Sequence, residues 1–123
     1  MNLETYPLYA AIYKLNVDSL PRLAKFPREY RRVLADRIGN YQQDLMELCT
    51  EAVFSASSRK ASLQQCNLRL EWLRALWRTA RDVGAVSFRA YGNILIQLDG
   101  IGRMVGGWLH KLSGQQGSQE VFS

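Results

Sequence analysis

Residues that hold metals or act as nucleophiles are scarce in this chain of 123 residues. It has one histidine, His110, and only two cysteines, Cys49 and Cys66. A zinc site needs about four such ligands at close spacing, and nucleophilic catalysis needs a nucleophile within reach of a base. Neither arrangement can be assembled here, and no glycine-rich phosphate loop is present. The sequence therefore predicts a protein that is not an enzyme and that uses no metal or cofactor.

Long hydrophobic runs are missing as well. No segment approaches the ~18 uninterrupted apolar residues of a membrane helix. The first residues lack the basic start and apolar stretch of a signal peptide. Both cysteines fall inside helical patterns, where buried and reduced thiols are the usual state. We therefore expect a cytoplasmic protein that makes no contact with a membrane.

Positive charge is in excess, and most of it is arginine. Lys and Arg number 16 and Asp and Glu 11, so the net charge is +5, and 12 of the 16 cations are Arg. The forked guanidinium group suits phosphate and carboxylate better than an ammonium group does. A basic chain of this size is a candidate binder of nucleic acid or of an acidic partner. From charge alone, a solvated basic surface without a ligand is an equal alternative.

Apolar residues recur at spacings of three and four along the chain, which predicts helices and no strand. Short links between long helices force antiparallel neighbours, so we predict an all-α, up-down-up-down four-helix bundle over residues 1–113. Residues 114–123 are rich in Gly, Ser and Gln and are expected to be disordered. Pro21 predicts a kink or an early end in the first helix. The predicted helices cover about residues 8–23, 28–55, 59–83 and 88–112, and the seam of the last contains Phe88, Tyr91, Leu95, Leu98, Gly102, Val105, Leu109 and Leu112.

Small residues mark the predicted helix ends. The serines of residues 55–58 supply hydroxyl groups to cap the third helix, and Ser87 is placed to cap the fourth. Gly84 is a natural stop for the third helix. Gly102 and Gly106 lie one turn apart in the fourth helix, where they would let a neighbouring helix approach closely.

The antiparallel arrangement concentrates the positive charge at one end. Residues 22–37 and 74–89 meet there and contain ten cations and three acids, a net charge of +7. Arg74, Arg78 and Arg81 share one flank of the third helix, where guanidinium groups could follow a phosphate backbone. The alternative is pairing with Glu71 and Asp82 together with solvation. Because two acids cannot neutralise the whole cluster, the pattern favours an anionic partner.

Helices three and four have more apolar residues than one seam needs. A bundle helix buries a stripe about 100° wide, and both helices carry a second stripe beside it. A second burial surface is most simply another copy of the chain. The alternative is a monomer in which the first helix covers the surplus. The predicted interface residues are Leu68, Trp72, Leu76, Ile94, Ile101 and Trp108.

Three segments of the chain, taken in order, form a recognisable set. They are Leu20-Pro21-Arg22 with Lys25-Phe26-Pro27-Arg28, Leu73-Arg74-Ala75-Leu76-Trp77-Arg78 with Ala80-Arg81-Asp82, and Ile101-Gly102-Arg103-Met104-Val105-Gly106-Gly107-Trp108. The set resembles one protein family, the accessory variability determinant (Avd-like) proteins of diversity-generating retroelements, which are close to the four-helix proteins encoded in ribosomal RNA intervening sequences. The resemblance covers about residues 6–113, with one departure at Gly100, where an acidic residue is expected.

The resemblance implies a non-catalytic four-helix protein that assembles into a barrel-like homopentamer with a basic surface. It implies association with the element's reverse transcriptase and template RNA, in support of mutagenic cDNA synthesis. Arg103 could instead serve packing or an ion pair between subunits. The alternatives are a stand-alone bundle of the intervening-sequence type and a protein-interaction scaffold. The candidate contact residues in the matching segments are Arg28, Arg31, Arg32, Arg74, Arg78, Arg81 and Arg103.

Overall fold

The computed structural model describes the backbone of residues 2–122 and the side chains of residues 2–114, and no strand occurs in that part of the chain. Apart from Gly114, the predicted disordered segment 114–123 lies outside the residues whose side chains are described, and its disorder stays a prediction. The all-α prediction is confirmed. A 3-10 turn, Leu3–Thr5, is followed by α1 (Pro7–Ala24), α2 (Arg28–Tyr30), a π-helical segment (Arg31–Ala35), α3 (Asp36–Phe54), α4 (Arg59–Asp82) and α5 (Phe88–Phe122).

The long helices α1, α3, α4 and α5 form a four-helix bundle. α1 and α4 each pack against α3 and α5, so α1 and α4 lie diagonally across the bundle. Side-chain bonds from α4 to α3 show that these helices are antiparallel. The Arg69 Nε donates to Asp44 over 3.1 Å, and the Ser62 hydroxyl donates to Glu51 over 3.0 Å. α1 is antiparallel to α3, since Asn16 bonds to Gln42 and the later Leu23 lies beside the earlier Gly39. α4 is antiparallel to α5, since Arg74 bonds to Asp99 and the earlier Leu70 lies beside the later Gly102. The predicted up-down-up-down arrangement is therefore correct.

The core contains the predicted seam of α4 in full. Leu63, Cys66, Leu70, Leu73, Trp77 and Ala80 are all buried. The Trp77 indole meets the Phe26 ring edge to face, with 6.1 Å between the ring centroids. Burying one large apolar side chain stabilises the fold by about 1.5–3 kcal/mol. These two aromatic residues close the core at the end of the bundle where α1 ends.

The buried face of α5 differs from the predicted seam. Ala90, Ile94, Leu98, Ile101 and Val105 are buried, whereas the predicted core residue Phe88 is 76% exposed. Because α5 carries apolar residues on several faces, spacing alone could not identify the buried one.

Two predictions about helix ends are wrong: Pro21 does not end α1, and the serines after α3 do not cap α4. α1 continues through Pro21 to Ala24 and does not end early. The carbonyl that Pro21 leaves without a helical partner belongs to Val17, which is exposed to solvent. The serines of residues 55–58 bond to one another, and no side chain of theirs caps α4. Instead Arg59 donates to the carbonyl groups at the end of α3.

The predicted turn between α4 and α5 is confirmed. Gly84 has φ +78°, a conformation that favours glycine. The Ser87 hydroxyl accepts a hydrogen bond of 3.1 Å from the Ala90 N–H and so caps α5.

Candidate nucleic-acid interface

The basic end of the bundle is defined by the last turns of α1 and α4 and the first turns of α2 and α5. Arg28, Arg32 and Arg78 are exposed there. None of the three has an ion pair with another described residue. Their charge is therefore available to an anion from solution. Arg89, at the start of α5, is exposed in the same way.

Arg31 is exposed but also has a structural contact. Its Nε donates to the Phe26 carbonyl over 3.1 Å, which ties the π-helical segment to the link after α1. Beside it lies an open groove of about 580 Å³, lined by Leu20, Asp36 and Asn40 among others. A change at Arg31 therefore alters local structure as well as charge.

Two of the three arginines on the flank of α4 are neutralised by acids. Arg74 bonds to Glu71 over 2.5 Å and to Asp99 over 3.3 Å. Arg81 pairs with Asp82 over 2.9 Å. The alternative of pairing with acids thus holds for Arg74 and Arg81, and Arg78 is the exposed cation between them.

Arg103 lies away from the basic end. It is exposed on α5, 15 residues after Phe88, which corresponds to about 22 Å along a helix. The structure brings Arg103 together with Arg74, since both line a small pocket with Asp99 and Gly102, but it keeps Arg103 apart from the candidates at the basic end. The neighbouring Gly102 makes room for the end of a side chain, since a Cβ atom there would lie 3.0 Å from the Arg74 Nη2. Gly106 has open space at the corresponding position, so neither glycine shows the predicted close approach of a neighbouring helix.

Sequence reasoning missed an exposed aromatic residue at the basic end. Phe88 is the first residue of α5, and the guanidinium carbon of Arg81 lies 5.6 Å from its ring centroid. The same carbon lies 4.7 Å from the ring centroid of Tyr91. Aromatic rings and guanidinium planes both stack on nucleic-acid bases. The signal that could have revealed Phe88 is its position. It directly follows the capping Ser87 at the start of α5, and the buried residues of that helix begin only at Ala90.

The predicted oligomer stripe is only partly on the surface. Leu68 is 46% and Trp72 43% exposed, while Leu76 and Trp108 are half-buried against the core. Ile94 and Ile101 are buried inside the chain, which corrects their assignment to an interface. Their side chains have no surface left for a second copy, because they fill the space between α5 and its neighbours.

The cysteines are buried and weakly acidic. Burial raises the pKa of the Cys49 thiol to about 11 and that of Cys66 to about 12. Both are protonated at neutral pH and poor nucleophiles. The residues that the structure describes contain no group of His, Cys, Asp and Glu able to hold a metal ion, and no helix among them is long and apolar enough to cross a membrane.

The fold and this end of the molecule define a small all-α bundle with a basic, partly aromatic surface. A family model described as bAvd-like matches residues 10–112, a span that includes all of α3 and α4 and most of α1 and α5. The chain therefore belongs to the bAvd-like family. Comparison with curated proteins and with solved structures gave no match.

Proposed function

We propose that this chain is a non-catalytic accessory protein of a diversity-generating retroelement. In this role it acts in the cytoplasm, binds the reverse transcriptase and template RNA, and supports mutagenic cDNA synthesis (mutagenic retrohoming). Membership of the bAvd-like family supports the accessory role. The observation that carries RNA binding is the set of exposed arginines, Arg28, Arg32 and Arg78, that have no acidic partner within the described residues.

We also propose that the protein works as a homo-oligomer, and the resemblance implies five copies. Exposed apolar side chains on the outer face of α4, Leu68 and Trp72, support an assembly of this kind. A monomer at micromolar concentration in light scattering would contradict this part of the proposal.

Salt dependence of RNA binding tests the proposed interface. Each phosphate contact lowers the affinity as salt rises, because binding releases counterions. With three arginine contacts, the affinity for a single-stranded 20-mer should fall roughly 20-fold between about 50 and 200 mM salt. Arg78→Gln should reduce this dependence, whereas Lys111→Gln, an exposed cation at the other end, should not. An affinity that barely changes with salt would favour the scaffold alternative, with an acidic protein as the partner.

Phe88→Ala provides a second arm of the same experiment. If the Phe88 ring stacks on an unpaired base, its loss should weaken single-stranded RNA binding by about tenfold and leave duplex binding unchanged. Ile96→Ala is the matched control, since Ile96 is 68% exposed on the same helix, two turns away from the basic end. Equal losses for single strands and duplex would show that Phe88 does not read unpaired bases.

A further inference from the structure

The outer face of α1 carries an uncharged seam that the core does not use. Its residues repeat at the three-and-four spacing of helix–helix contacts. Tyr13, Val17 and Leu20, in the middle of this seam, are 57%, 51% and 53% exposed. We name this set the α1 seam, and its members are Ala10, Tyr13, Val17, Leu20 and Ala24.

The outer face of α4 carries a seam with the same spacing and length. Leu68 and Trp72 are its large members, and none of its residues is charged. Trp72 is held in place by neighbours, since the Tyr41 ring lies 5.3 Å and the Arg69 guanidinium carbon 5.1 Å from its ring centroid. We name this set the α4 seam, and its members are Gln65, Leu68, Trp72, Ala75 and Thr79.

The other two long helices present charge to solvent. The outer face of α3 carries Glu47 and Glu51, and that of α5 carries Arg89 and Arg103. Charged residues flank the two seams, Lys14 on α1 and Glu71 and Arg78 on α4, but none interrupts either seam. The two uncharged seams therefore mark strips of the surface that meet something apolar.

The two seams match each other in direction and in height. α1 and α4 run the same way, because each is antiparallel to α3. Asp18 on α1 accepts a 3.0 Å bond from Gln97, and Arg74 on α4 donates a 3.3 Å bond to Asp99. Gln97 and Asp99 lie on the same turn of α5. The middle of the α1 seam and the middle of the α4 seam therefore lie at about the same height along the bundle, on opposite sides of it.

We infer that the α1 seam of one copy packs against the α4 seam of the next copy, so that the copies associate head to tail. This inference rests on the homo-oligomer part of the proposed function and names its contact faces. A copy moved sideways, without sliding along its axis, aligns the seams layer by layer. The layers are Ala10 with Gln65, Tyr13 with Leu68, Val17 with Trp72, Leu20 with Ala75, and Ala24 with Thr79.

A second copy fits these seams better than an unrelated helix does. Leu20 faces the small Ala75 and the large Trp72 faces the smaller Val17, so side-chain sizes are complementary in the layers. Because the seams are different, one type of head-to-tail contact covers both on each inner copy of a row, and a rotation of each copy relative to the last closes the row into a ring. A symmetric contact of α1 with α1 would cover one seam and leave the other exposed.

Cysteine cross-linking tests the pairing. Leu20→Cys combined with Ala75→Cys should give, on oxidation, a ladder of covalently linked copies on a non-reducing gel. Each single variant should remain a single chain, and a mixture of the two should give dimers only. The native Cys49 and Cys66 are buried with raised pKa values, so they do not compete at pH 8. The control pair Asn40→Cys with Asn93→Cys, exposed on α3 and α5, should not cross-link.

The outcomes distinguish a failure of this inference from a failure of the proposed homo-oligomer. Dimers from Leu20→Cys alone would overturn it in favour of a symmetric contact. An oligomer in light scattering whose double variant gives no ladder would overturn the assigned faces and leave the oligomer standing. A wild-type chain that is a monomer would remove the oligomer and this inference together. As a second readout, Val17→Glu should lower the particle mass to that of one chain, 14.1 kDa, with unchanged circular dichroism, while Asn40→Glu should not.

Discussion

At the residue scale, the side chain that specifies the bundle most closely is the buried amide of Gln42. Its oxygen accepts a 3.0 Å bond from the Trp77 indole N–H. Its backbone carbonyl accepts a 3.2 Å bond from the Asn16 side chain. Gln42 thereby joins α1, α3 and α4 at one level. A buried donor without an acceptor costs about 1–3 kcal/mol, so this arrangement penalises helices that slide or rotate.

Gln42→Leu should therefore destabilise the protein despite adding an apolar side chain to the core. The variant leaves the Trp77 N–H without an acceptor, and we expect a loss of about 1–3 kcal/mol in the free energy of unfolding. Urea denaturation followed by circular dichroism measures it. Gln43→Leu is the matched control, since Gln43 is exposed and its replacement should stay within about 0.5 kcal/mol. Equal stability of the two variants would contradict the role given to Gln42.

At the element scale, the helices and their order could be predicted from the sequence, because apolar residues recur at helical spacing, and the unbroken seam of α4 from Leu63 to Ala80 is the face that the core buries. α5 could not be resolved in the same way, since Phe88 and Ile94 are both apolar and only the packing of neighbours decides between them. The π-helical segment at Arg31–Ala35 has no local signal that we could identify. Gln42 was missed because periodicity counts apolar residues and passes over a buried amide.

Gly84 and Gly106 provide a prediction at this scale, because alanine should destabilise the protein at the first position and stabilise it at the second. Gly84 adopts φ +78° in the turn after α4, and a Cβ there is disfavoured by about 1–2 kcal/mol. Gly106 lies inside α5 with open space around it, where alanine is a better helix former by roughly 1 kcal/mol. Gly84→Ala should therefore lower, and Gly106→Ala raise, the free energy of unfolding. Denaturation at equal protein concentration measures both, and the same sign for the two variants would refute the assignment.

At the scale of the whole molecule, charge and apolar surface are arranged on different parts of one bundle. The basic end lies where the helices stop, and the two uncharged seams lie along the sides. Copies that associate through their sides would keep the same orientation, so their basic ends would face the same way. The positive charge of each copy would then add to that of its neighbours on one face of the assembly. Such a face attracts an extended polyanion more strongly than one copy does.

The role in the cell gives the last prediction. Arg28→Glu with Arg32→Glu should abolish diversification of the target gene when the reverse transcriptase and template are intact. Both residues are exposed and lack ionic partners within the described chain, so their replacement should change stability by less than about 0.5 kcal/mol each. Arg31 is left in place because its bond to the Phe26 carbonyl would confuse loss of contact with loss of structure. Diversification frequency is measured beside a thermal melt of the same variant, with Lys111→Glu as the control at the opposite end. Normal diversification with both charges reversed would remove the start of α2 from the interface and leave Arg78 as the residue to test.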